Sequence, residues 1–69
     1  MRYEIWTQYG TEQSDCLGIE YNSERAVMNA ERFANDGYLD VQVLVFDEYD
    51  ESVWFTIHQV NNSREPELV

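Results

Sequence analysis

The chain has 69 residues, 14 of them acidic and four basic, which gives a formal net charge of -10 at pH 7. All four cations are arginines. Such an acidic surface repels phosphates, so direct binding to nucleic acid or to an anionic membrane is excluded as a function. Self-repulsion also weakens a small compact domain, so the excess acid indicates either a need for solubility or a basic protein partner.

Length and composition predict one small domain. Hydrophobic residues make up 43% of the chain and aromatic residues 14%, which is enough for a core and unlike a disordered acidic tail. Cys16 and His58 are the only cysteine and the only histidine. The sequence therefore offers neither an internal disulfide nor a zinc site, and we predict no metal and no cofactor. No apolar run approaches the length of a membrane span, so we expect a soluble, cytoplasmic protein.

Two short strands are predicted first. Apolar and polar residues alternate over residues 2–9 and again over residues 17–21, which is the pattern of half-buried strands. Tyr3, Ile5 and Thr7 are expected on one face of the first strand. The polar stretch between the two strands predicts a turn, so the pair would form a hairpin.

A helix of roughly 13 residues is predicted next. It would start at Asn22-Ser23, because both side chains can accept a backbone N–H that lacks a partner in the first turn. It would end at Asn35-Asp36-Gly37, where glycine suits the left-handed cap position. Alanines on the inner stripe, such as Ala26 and Ala30, allow this helix to approach a sheet closely.

Two stronger strands follow, over residues 39–47 and 53–60, and an acidic loop joins them into a second hairpin. The predicted fold class is therefore α+β, in the order β-β-α-β-β, with one helix packed on one face of a small, mainly antiparallel sheet. Residues 1–60 would form a single domain. Residues 61–69 are polar and contain Pro66, so they are predicted to be a flexible C-terminal tail.

The register of the second hairpin decides which side chains face the helix. If Val45 pairs with Phe55, the face opposite the helix carries Gln42, Leu44, Phe46, Trp54, Thr56 and His58. Trp6, Leu44, Phe46 and Trp54 would then form an exposed apolar patch, which is typical of a protein interface. The alternatives are that the register differs, or that the tail and the 10–16 loop fold over the patch.

The loop of the second hairpin carries four carboxylates in five residues: Asp47, Glu48, Asp50 and Glu51, with Tyr49 among them. Such a tip repels itself unless arginines or lysines of a partner dock on it. The alternative is a solvated turn whose acids protect the hairpin from aggregation. Glu20, Asp36 and Asp40 are predicted to extend the same anionic binding surface.

Catalysis is not indicated. Paired carboxylates need a cleft that a single helix on a small sheet does not provide, so we predict a non-enzymatic protein. Cys16 is expected to be an ordinary thiol, because Asp15 raises its pKa and the one histidine is its only candidate base.

The acidic tip and the exposed aromatics give the chain a resemblance to small acidic inhibitor proteins of phages and mobile elements, including anti-CRISPR and anti-restriction proteins. The resemblance lies in size, charge and plan. It implies a protein that occupies the nucleic-acid-binding groove of a target enzyme. Two hypotheses follow: binding and inhibition of a basic, nucleic-acid-binding protein surface, or a small structural homodimer whose acidity serves solubility.

Overall fold

The computed structural model describes residues 1–47, Tyr49 and residues 53–60, except for the side chains of residues 53–55. Its elements are β1 (Arg2–Thr7), β2 (Asp15–Glu20), α1 (Ser23–Asn35), β3 (Val41–Phe46) and β4 (Val53–Val60). The strands form one sheet in the order β2-β1-β3-β4, and every neighbouring pair is antiparallel. The predicted α+β class is confirmed. The predicted tail, residues 61–69, lies outside the described residues.

Both ends of α1 are fixed by local hydrogen bonds, as the sequence predicts. At the N-terminus, Asn22 Oδ1 accepts the Arg25 backbone N–H at 3.0 Å. At the C-terminus, Gly37 has φ +110° and donates to the Ala34 carbonyl, while the Tyr38 N–H reaches the Phe33 carbonyl at 3.2 Å. This is a Schellman cap, and its usual apolar contact is made by the Phe33 and Tyr38 rings, whose centroids are 5.6 Å apart.

The core lies between α1 and the two central strands. Ala26 and Ala30 of the helix are fully buried against a cluster that includes Ile5, Val41 and Val43. The small alanine side chains bring the helix backbone close to the sheet, which lets one helix cover the strands. Tyr3 and Leu17 pack at the edge of this cluster.

The helix-facing side of β1 also holds one buried polar group. Thr7 is buried and its hydroxyl donates to the Leu39 carbonyl oxygen, so burial leaves that group paired. The predicted placement of Tyr3 and Ile5 with Thr7 on one face is confirmed by their burial or packing on the helix side.

Irregular pairing in β4 changes one predicted face. Val45 pairs with Phe55 as predicted, but the register shifts at two places. Ile57 is the extra residue between the partners of Val43 and Leu44, and Trp54 is the extra residue between the partners of Val45 and Phe46. A bulge of this kind points two consecutive side chains toward the same side. Ile57 packs against the core and His58 Nε2 lies 3.0 Å from Glu31 Oε2 on α1. The prediction of His58 on the face opposite the helix is therefore wrong.

Candidate functional site

The face of the sheet opposite α1, here called the outer face, was predicted to be an exposed apolar patch. The prediction is wrong for two of its four members, because Leu44 is 1% exposed and Phe46 is 9% exposed. Trp6 is half-buried. The side chain of Trp54 lies outside the described part of the structure.

Both buried members of the outer face have a residue of β1 as a partner across the sheet. β1 pairs with β3 so that Glu4 lies opposite Leu44 and Arg2 lies opposite Phe46. The Arg2 guanidinium carbon stands 5.0 Å from the centroid of the Phe46 ring, which is a cation–π contact. Arginine can cover apolar surface in this way, because its stem is apolar and only its end group needs water.

A hydrogen-bonded chain holds this cover in place. Arg2 Nε donates to Glu4 Oε2 at 2.8 Å, and Trp6 Nε1 donates to Glu4 Oε1 at 2.9 Å. The Trp6 ring packs edge-on against Tyr9, with the ring centroids 5.2 Å apart. The Glu4 carboxylate thus accepts hydrogen bonds from two residues of its own strand, on the face where Leu44 is buried. Part of the predicted self-coverage is therefore made by β1, and the tail lies outside the described residues.

The outer face is polar beside this cover. The Thr56 hydroxyl donates to Gln42 Oε1 at 3.3 Å, which places both residues on this face as predicted. Ile19 of β2 is also on this face, where it is 49% exposed and lies opposite Glu4 of β1. The described side chains of the outer face are therefore mixed polar and apolar, and among them the predicted broad apolar patch is not present.

The acidic tip is described only in part. Asp47 Oδ1 accepts the Tyr49 backbone N–H at 2.8 Å, which fixes the start of the turn, and Tyr49 is 93% exposed. Glu48, Asp50 and Glu51 lie outside the described residues. The predicted binding role of this tip stays a prediction.

The other predicted acids do not join the tip in one cluster. Glu20 pairs with Tyr3, which pairs with Val45, so Glu20 lies at the same end of the sheet as Asp47. Asp40 immediately precedes β3 and lies at the opposite end. Six strand residues separate it from Asp47, or about 20 Å.

Asp36 caps the C-terminus of α1, and β3 separates it in the chain from the acidic tip. It lines a cleft between α1 and β2 together with Glu20 and Arg32. The cleft thus mixes both signs of charge. Glu20 is also engaged locally, since its carboxylate accepts from Asn29 Nδ2 at 2.8 Å and lies 3.7 Å from Arg25 Nε. Glu20 and Asp36 therefore share this cleft, whereas Asp40 and Asp47 lie at opposite ends of β3, so the predicted anionic surface is not a single cluster.

The sequence did not reveal a groove between α1 and β4, here called the α1–β4 groove. It has a volume of about 440 Å³ and is lined by Ser23, Glu24, Val27, Met28, Glu31 and Ile57. No role was predicted for Met28. The available signal was the position of Met28, which follows the core stripe of the helix with an acid four residues before it and another three after it.

The thiol of Cys16 is poorly suited to chemistry. Cys16 lies opposite Trp6 on the outer face, whereas His58 faces the helix. Burial is the main cause that raises the pKa of the Cys16 thiol. The contact with the Gly18 carbonyl opposes it, and the negative charges of Glu4 and Asp15 raise the pKa further. The thiolate, the reactive form, is therefore scarce at neutral pH.

We expect Cys16 to react more slowly with iodoacetamide at pH 8 in the folded protein than in urea. A raised pKa moves the midpoint of the pH–rate profile upward, and Asp15→Asn should move it back down by removing one negative charge. Alkylation rates measured between pH 7 and 11 check this. A folded-state midpoint at or below the value in urea would contradict it.

Within the described ranges, no group of three histidine, cysteine, aspartate or glutamate side chains is placed to hold a metal ion. The helix in that part of the chain is too short and too polar to cross a membrane. Comparisons of the chain with protein-family models, curated protein sequences and solved structures found no match. Function must therefore be argued from the surfaces described above.

Proposed function

We propose that this protein is a non-enzymatic binder of a basic protein surface, one that normally holds nucleic acid, and that it inhibits or masks that surface. The observation that carries the proposal is the excess of negative charge on the folded chain. The described residues contain nine acids against Arg2, Arg25 and Arg32. Two of these arginines contact acids of the protein itself, Glu4 and Glu20, which offsets part of their positive charge.

Carboxylates suit a surface that binds phosphates, since both offer anionic oxygens to arginine and lysine. A net charge of -10 also creates a long-range field that speeds encounter with a cationic partner. The homodimer hypothesis loses part of its basis, because Leu44 and Phe46 are covered within one chain. Self-association through other surfaces stays a prediction.

The proposal is tested by affinity capture from a cell lysate at low salt. We expect a nucleic-acid-binding protein that is released both by moderate salt and by added DNA or RNA, because long-range attraction between exposed charges is screened by ions. Recovery of no such protein would contradict the proposal.

Charge reversal distinguishes binding through the acidic tip from attraction to the net charge of the whole chain. Glu48→Lys/Asp50→Lys should lower the association rate with the captured protein, measured by surface plasmon resonance. Glu12→Lys/Asp15→Lys makes the same charge change at the other hairpin, at the opposite end of the sheet. Equal losses in both variants would mean that net charge acts without a defined site, and no loss in either would oppose the charge-based proposal.

A further inference from the structure

The α1–β4 groove is an apolar depression on an otherwise charged surface. Its floor is formed by Val27 and Ile57, which are half-buried, and Met28 stands at its side with 61% of its surface exposed. Methionine is flexible and adapts to differently shaped partners. The core cluster reaches only part of this depression, since Ile57 packs against it from the edge.

Acids stand on the same helical stripe as the exposed methionine. Glu24, Met28 and Glu31 are spaced i, i+4 and i+7, so they follow one another along one side of α1. The two glutamates are about 10 Å apart along the helix axis. Both are exposed, and Glu31 also contacts the His58 imidazole.

No arginine is among the described residues that line the groove. Arg2 lies on the outer face, Arg25 contacts Glu20, and Arg32 lines the cleft beside β2. The described rim of the groove therefore keeps negative charge, and the His58 imidazole lies 3.0 Å from Glu31. A second copy of this chain would bring a net charge of -10 toward that rim, so charge complementarity favours a cationic occupant.

We propose that the α1–β4 groove binds a segment of a basic protein that places one apolar side chain between two arginine or lysine side chains about 10 Å apart. The apolar side chain enters beside Met28, and the cations meet Glu24 and Glu31. The inference rests on the proposed function, and adds a second contact to it, on the helix side of the sheet. An apolar anchor inside a charged rim is the usual arrangement of a strong contact point.

The probe is a synthetic alanine-based helical peptide with arginine, leucine and arginine at positions i, i+4 and i+7. We expect its addition to shift the NMR signals of Val27, Met28 and Ile57 in the full chain. Replacing leucine by serine in the peptide, or both arginines by glutamine, should weaken binding about tenfold each. Absence of shifts at the groove would overturn the proposal.

Variants of the protein test the same contacts. Met28→Ser and Glu24→Gln/Glu31→Gln should each weaken peptide binding about tenfold, and Glu31→Gln keeps a hydrogen-bonding group beside His58. Glu12→Gln/Asp15→Asn removes two charges from the first hairpin and should leave affinity within about twofold. Equal weakening by that control would show attraction to net charge alone and overturn the proposal.

Two further results keep the inference separate from the proposed function. Full capture of a nucleic-acid-binding protein by Met28→Ser and by Glu24→Gln/Glu31→Gln would overturn the groove as the contact and leave the function standing. Capture of no basic protein by any form would oppose the function, while the peptide titration still decides the groove. Self-association that Met28→Ser abolishes, measured by sedimentation, would assign the groove to a second copy and overturn the proposal.

Discussion

Leu44→Ala is expected to destabilise the protein by about 2–4 kcal/mol. Leu44 is fully buried on the outer face, so truncation removes apolar contacts and leaves a cavity there. A domain of 69 residues has a free energy of unfolding of roughly 3–10 kcal/mol. The substitution should therefore remove a large fraction of the total stability, measured by urea unfolding followed by circular dichroism.

Ile19→Ala is the matched control, since it truncates an apolar side chain on the same face that is 49% exposed. It should change stability by less than about 0.5 kcal/mol. If Leu44→Ala leaves the unfolding midpoint unchanged and instead alters the mass in solution, then Leu44 belongs to an interface between chains. That result would restore the interface role first predicted for Leu44.

Ala30→Leu is expected to cost about 1–3 kcal/mol through overpacking. Ala30 has no exposed surface and lies in the core cluster with Val41 and Val43. Leucine has nearly the same helix propensity as alanine, so the loss would come from forcing α1 away from the sheet. Thermal unfolding measures it.

Asn35→Leu introduces the same side chain at an exposed position of the same helix and should leave stability within about 0.5 kcal/mol. Similar losses at both positions would indicate that leucine harms the helix itself. Unchanged stability of Ala30→Leu would mean that the space between helix and sheet can expand without cost, in conflict with the close packing described here.

The fold was predictable where the determining interactions are local. Asn22 and Gly37 determine the ends of α1 through side-chain and backbone geometry that short sequence patterns reveal. The α+β fold class followed from the predicted order of the helix and strands. His58 was misplaced because a bulge adds one residue to β4, and strict alternation has no means of locating such an insertion.

The surfaces were less predictable, because they depend on contacts between strands distant in sequence. Alternation assigns Leu44 and Phe46 to the outer face correctly, but cannot show that Leu44 is buried there or that Arg2 of another strand stands over Phe46. Likewise, the acids of the anionic binding surface were predicted to be neighbours, although Asp40 and Asp47 lie at opposite ends of β3. The α1–β4 groove exists because α1 leaves part of β4 uncovered. The spacing of residues in the sequence cannot predict where on the sheet the helix lies.

The strand order has a kinetic consequence. β1 pairs with β2 and β3 pairs with β4 across short connections, whereas β1 and β3 meet only after the chain between them, including α1, closes into a loop. The entropy of closing this loop is lost before the contacts between β1 and β3 can stabilise the chain. We therefore expect pairing of β1 with β3 to be the slow step in forming the sheet. We expect truncations at Ile5 and Val43 to slow folding, and truncations near the edge of β2 mainly to speed unfolding.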